Sequence, residues 1–128
     1  MNVHILMQSP RKSELMRRAF DEMGCNARLS TSVKTTLSEF KRRKVDLLVV
    51  DEVIGGNVAY PLIFAAEYHN TGLATVMLCD QPISLRDNPF SVVGSLISVL
   101  NARTDAEDVA TIALYHRATR AVGKFEAA

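Results

Sequence analysis

Short apolar runs alternate along the chain with longer stretches of helical period. Val3 to Met7 (VHILM) reads as a strand and Pro10 to Met23 as a helix. In that helix Leu15, Met16, Ala19, Phe20 and Met23 recur at three- and four-residue spacing, Pro10 suits the first turn, and Gly24 suits the stop. Ala27 to Ser30 is a weak second strand. A helix from about Ser32 to Lys44 follows and ends in KRRK, where cations complement the carbonyl end of the helix dipole. Val45 to Val50 (VDLLVV) has the near-continuous apolar character of a central strand covered on both faces, and Asp51 stands at its carboxyl end. After a Gly55-Gly56 turn, Asn57 is placed to cap a helix reaching about His69, with Leu62, Ile63, Ala66 and Tyr68 as candidates for its inner face. Ala74 to Leu78 and Leu96 to Leu100 read as the fourth and fifth strands. Thr104-Asp105-Ala106-Glu107 reads as a capping box for a last helix running to about Gly123.

Five strands alternating with helices predict a right-handed, doubly wound parallel sheet in the flavodoxin-like order 2-1-3-4-5. The segment between Cys79 and Gly94 breaks the alternation. Pro82 and Pro89 with the Asp87-Asn88 pair predict a loop there, with the fourth helix short or missing. With 128 residues, the chain has room for a single domain with a core that needs no staples. Fifteen Lys plus Arg against fourteen Asp plus Glu leave a net charge of +1, so only a local patch could attract nucleic acid or an acidic membrane. Cys25 and Cys79 belong to no metal or redox motif, and MNVHILMQSPRKS has too short an apolar run for a signal peptide. A cytoplasmic protein with reduced thiols and no membrane span is the expectation.

In a doubly wound sheet, ligands and chemistry gather at the carboxyl ends of the strands. The residues there are Met7, Gln8, Asp51, Cys79 and Asn101, of which one is acidic; Glu52 is expected to turn away by strand alternation. A dedicated Mg²⁺ site needs more oxygen ligands than these supply.

The stretches HILMQSPRKSELMRRAFDEMG, VDLLVVDEVIGG, TVMLCD and SVLNARTDAEDV together resemble the receiver domain of two-component response regulators, CheY-like in layout, over nearly the whole chain. The resemblance implies that Asp51 occupies the phospho-acceptor position. It also implies departures from the family pattern. Met7 and Gln8 stand where the family has an acidic pair, Cys79 where it has Thr or Ser, Ser98 at the aromatic switch, and Asn101-Ala102 at Lys-Pro, with Arg103 a near neighbour. This is the pattern of a pseudo-receiver. Phosphoryl transfer to a carboxylate depends on positioning and on charge stabilisation by a metal and a lysine, so these losses weaken it severely. No cofactor is expected, Mg²⁺ entering only if Asp51 is phosphorylated, and with no nucleophile–base pair in view the chain is not expected to be an enzyme. The implied partners are a histidine kinase or a downstream regulator. A homodimer is a further option, through the alanine-rich run Ala110, Ala113, Ala118 and Ala121 of the last helix.

Each candidate also has a plainer reading. Asp51 could simply bond backbone N–H groups at a strand end, and Cys79 fits a small buried filler. His4, His69 and His116 share no ligand spacing. KRRK at positions 41–44 reads as a solvated helix end without the interleaved aromatics that would support base stacking, which argues against nucleic acid. Ser9, Arg11, Lys12 and Ser13 lie at the first strand-to-helix turn, where helix N–H groups favour an anion, and they carry the alternative expectation of a small-ligand module.

Overall fold

A computed structural model describes residues 1–80 and 94–127, those from 120 onward by backbone alone. The expected loop across Pro82 and Pro89, and with it the expected shortening of the fourth helix, falls outside the described residues. The elements are β1 (Asn2–Leu6), α1 (Pro10–Glu22), β2 (Asn26–Ser30), α2 (Val33–Arg42) and β3 (Leu47–Asp51). A small hairpin of β4 (Val53–Ile54) and β5 (Asn57–Val58) comes next, then α3 (Tyr60–His69), β6 (Ala74–Cys79), β7 (Leu96–Asn101) and α4 (Ala106–Ala127). The main sheet is parallel, in the order β2-β1-β3-β6-β7, which is the expected 2-1-3-4-5 winding once the hairpin is set aside.

Strand alternation divides the core into two layers. Val3, Ile5, Leu47, Val49, Val76 and Leu78 face α1 and α4, where Met16, Ala19, Phe20, Val109, Ala110 and Ala113 meet them. Leu6, Leu48, Val50, Met77 and Cys79 face α2 and α3, against Phe40, Leu62, Ile63 and Ala66. Ser9 caps α1, its Oγ accepting the Lys12 N–H at 3.2 Å, with Pro10 as the first helical residue. Ser32 caps α2 in the same way through Thr35 N–H. No helix among the described residues is long and apolar enough to cross a membrane.

Four local expectations are corrected. Asn57 does not cap α3. Gly55 and Gly56, with φ of 57° and 80°, form the two-residue turn of the β4–β5 hairpin, and Asn57 pairs with Ile54 there. The helix opens instead after Ala59, with no side-chain cap bond. Leu15 and Met23 lie on the exposed side of α1, and Tyr68 is 84% exposed on α3, because the inner faces are filled by Ser13, Met16, Ala19 and Phe20 and by Leu62, Ile63 and Ala66. The last helix opens at Ala106, which moves the capping position from Thr104 to Asp105. Finally, Ala110 and Ala113 do permit close helix approach, but to α1 of the same chain, so they are not an outward self-association face.

Candidate functional site

The strand ends assemble as the winding requires. Asp51 is the last residue of β3 and stands opposite Leu78 in β6, while Cys79 pairs with Asn101 at the end of β7. Met7 lies one residue past the end of β1 and is only 6% exposed, its side chain belonging to the α1/α4 layer of the core. Around Asp51 the chain forms a cleft of about 240 Å³, lined among others by Gln8, Lys12, Glu52, Cys79 and Asp80.

Gln8 binds on both sides of this cleft. Its backbone N–H donates to Asp51 Oδ2 at 2.8 Å, and its side-chain Nε2 donates to the Val53 carbonyl at 2.5 Å. The β1–α1 turn is thereby tied both to the Asp51 carboxylate and to the hairpin that follows it. Burial raises the Asp51 carboxyl above its ordinary pKa, opposed by the Gln8 N–H and the Lys12 charge, with Asp80 adding to the rise. A carboxyl whose folded pKa is raised favours the folded state while protonated, and that contribution disappears as pH climbs through the folded pKa. Asp51→Asn, which keeps an oxygen acceptor for Gln8, is therefore expected to be more stable than the wild type at pH 7. The gap should close as pH falls below the carboxylate range, as followed by thermal melts across pH; a variant less stable at every pH would contradict it.

Two acidic groups of the cleft were missed by reading the sequence. Glu52 does not turn away: the strand ends at Asp51, alternation lapses, and Glu52 lines the cleft together with Cys79. Burial first, and then Glu52, pushes the Cys79 thiol up to about 12. Cys79 is thus a buried, protonated thiol rather than a nucleophile. Asp80, the residue after β6, also lines the cleft. The available signal was adjacency, since both acids immediately follow a strand-end residue.

Other positions fall elsewhere. Asn101 is exposed and is not among the residues lining the cleft; its Oδ1 accepts the Arg103 N–H at 2.8 Å, and Ala102 lines the cleft instead. Ser98 is buried, and its Oγ lies 2.6 Å from His116 Nδ1 on α4. Of the four residues of the first turn, Ser9 and Lys12 line the Asp51 cleft, while Ser13 is buried in α1 and lines a separate groove. Arg11 is exposed outside both.

This five-stranded parallel fold is shared with solved structures. A CheY-like response regulator receiver domain from Methanospirillum hungatei superposes with a TM-score of 0.80 at 11% identity, covering 95% of this chain and 97% of that one. The chain has the receiver-domain fold. A chemotaxis response regulator of Vibrio cholerae matches at TM-score 0.79 and 11% identity, over 90% of this chain and 97% of that one. A response regulator of Burkholderia pseudomallei, solved with a phosphorylated aspartic acid, a calcium ion and citrate, matches at TM-score 0.76 and 13% identity, over 96% of this chain and 72% of that one. No family model matches the sequence, and no curated protein matches it.

Receiver folds of this kind raise the question of a divalent cation beside the acceptor. The residues present here fit one poorly. Met7 is apolar and packed in the core, and the Gln8 amide is occupied at Val53. Among the described residues no three His, Cys, Asp or Glu side chains converge as a metal would require.

Proposed function

We propose that this chain is a receiver-like signalling protein that acts in the cytoplasm by binding a partner, a histidine kinase or a downstream regulator, and that Asp51 is not an efficient phospho-acceptor. The observation that carries the reading is the double engagement of Gln8. A neutral carboxamide stands where the chemistry calls for an acid, and Gln8 holds Asp51 through its backbone N–H and the β4–β5 hairpin through its side-chain amide, without phosphate or metal. Among the described residues Lys12 is the one lysine or arginine lining the cleft, and no lysine ends β7 to clamp a phosphoryl group. Ser98, at the aromatic switch position, is held against His116 on α4, so the strand–helix contact that an aromatic would gate is occupied by a hydrogen bond. These features support a domain whose signalling surface is set by folding and by partner binding rather than by turnover at Asp51.

The test is intact mass after incubation with acetyl phosphate at millimolar Mg²⁺, with beryllofluoride binding followed in parallel. No mass increase and no beryllofluoride-dependent stabilisation are expected. Stoichiometric labelling that disappears in Asp51→Asn would refute the proposal and make the protein a phosphorylated regulator.

A further inference from the structure

We infer that the groove beside Ser13, at the carboxyl edge of the sheet, binds a small neutral carbonyl compound with an apolar body. Turns distant in the chain enclose it. The turn after β1 contributes Met7 and Pro10, the connection from β2 to α2 contributes Leu29 and Val33, and the hairpin contributes Ile54. Its volume of about 560 Å³ is that of a small-molecule site. All of these side chains are apolar; Met7 and Ile54 are buried, while Leu29 and Val33 each remain 37% exposed at the groove. An independent observation is the state of Ser13 on α1. This residue is only 4% exposed, it lines the groove, and its hydroxyl has no hydrogen-bond partner among the described residues. Two neighbouring hydroxyls of the same groove are committed, Ser30 Oγ lying 2.6 Å from His4 Nε2 and Ser32 Oγ accepting the Thr35 N–H at 3.2 Å. Buried hydroxyls are ordinarily paired, and a ligand atom entering the groove supplies the partner that the chain does not.

Charge decides the class of ligand. Among the described residues no lysine or arginine lines the groove, and its one carboxylate, Glu14, is engaged by Arg17 Nε at 2.9 Å. A charged ligand of either sign would lose its hydration there without gaining a free counter-charge, so the occupant is neutral. Its polar end is an acceptor. Helix α2 opens at Val33 behind the Ser32 cap, which sets the positive end of its dipole at the groove, and the Ser13 hydroxyl has a proton to donate. A carbonyl oxygen on an apolar body meets both requirements. Gln8 lines this groove as well as the Asp51 cleft. An occupant therefore meets the residue whose backbone N–H holds Asp51 and whose side-chain amide holds Val53, and its binding is independent of whether Asp51 takes phosphate.

The experiment is a fluorescence titration of the intact protein with prodan, a neutral naphthyl ketone dye whose emission moves to the blue on leaving water. Saturable binding is expected, with a dissociation constant on the order of 100 μM or tighter. Val33→Trp, at an exposed position lining the groove, should fill it and abolish binding. Tyr68→Ser, which removes the most exposed aromatic side chain of α3, should leave binding unchanged. Competition then reads the hydroxyl. Acetylnaphthalene should displace the dye, and Ser13→Ala should weaken this ketone about fivefold while leaving ethylnaphthalene, of similar shape without the oxygen, unaffected. Naphthoate, the anionic counterpart, should compete about tenfold more weakly than the ketone. Circular dichroism melts establish that the variants fold. Absent saturable binding, binding that Val33→Trp retains, or binding lost in Tyr68→Ser overturns the inference. So does a ketone affinity indifferent to Ser13→Ala, or naphthoate bound as tightly as the ketone, which would make the groove an anion site.

Discussion

Rebuilding the receiver chemistry in this chain should make Asp51 a residue that takes phosphate from a small donor. The variant Met7→Asp, Gln8→Asp, Cys79→Thr, Asn101→Lys removes the Gln8 Nε2 bond to Val53 and places two new carboxylates beside Asp51, Glu52 and Asp80. Asn101 stands at the end of β7 opposite Cys79, next to the Ala102 that lines the cleft, so a lysine there has the stem length to reach in. Mutual repulsion among the carboxylates should lower the melting temperature in chelator. If the new site holds Mg²⁺ with an affinity of about 0.1 mM, then 10 mM should return about 2.7 kcal/mol. Acetyl phosphate should then add one phosphoryl group per chain, and the label should vanish in the additional Asp51→Asn variant. A variant that folds yet gains neither metal-dependent stability nor label would show that the strand ends do not correspond to those of receivers.

The second large effect concerns acid stability and rests on His4. This residue is fully buried in β1, with Nε2 2.6 Å from Ser30 Oγ, Nδ1 without a partner, and its ring edge-on to Phe40. Burial lowers its pKa from the ordinary 6.5 to about 4, and the charges of Arg43 and Arg28 push the same way against Glu39. The unfolded chain takes up a proton near pH 6.5 while the folded one resists it until about 4. Stability is therefore full above pH 6.5 and lost as pH falls toward 4, by about 3 kcal/mol from this residue. His4→Leu should remove most of that acid loss in urea unfolding at pH 7, 5.5 and 4. At pH 7 it should cost about 1 kcal/mol because the Ser30 hydroxyl loses its partner. An acid slope identical to that of the wild type would mean that the buried ring is protonated without penalty.

Much of this architecture was legible along the chain because its causes are local or periodic. VDLLVV is apolar at successive positions because β3 is covered on both faces, and Pro10 with Ser9 sets the start of α1 from within a single turn. Given five such strands, right-handed crossovers leave few windings, and each of them brings Asp51, Cys79 and the end of β1 to one edge. The register of Asp51, and the absence of an acidic pair before Pro10, followed from counting residues.

What resisted sequence reading was whatever depends on partners distant in the chain or on where an element stops. Period alone made Leu15, Met23 and Tyr68 candidates for the interior, but the inner faces were already filled by Met16, Phe20, Leu62 and Ile63. Alternation turned Glu52 away from the site, yet the strand ends one residue before it and Glu52 lines the cleft beside Cys79. The commitment of Gln8 joins residues more than forty positions apart, and no local pattern encodes a hydrogen bond that exists only when β1 lies beside β3. For the same reason the concavity beside KRRK is not legible along the chain, since His69, Asn70 and Thr71 arrive from the end of another helix and line it only because α3 packs beside α2. Periodicity and turn chemistry specify elements and their order. Side-chain partnership between elements is specified by packing, which depends on every layer of the fold at once.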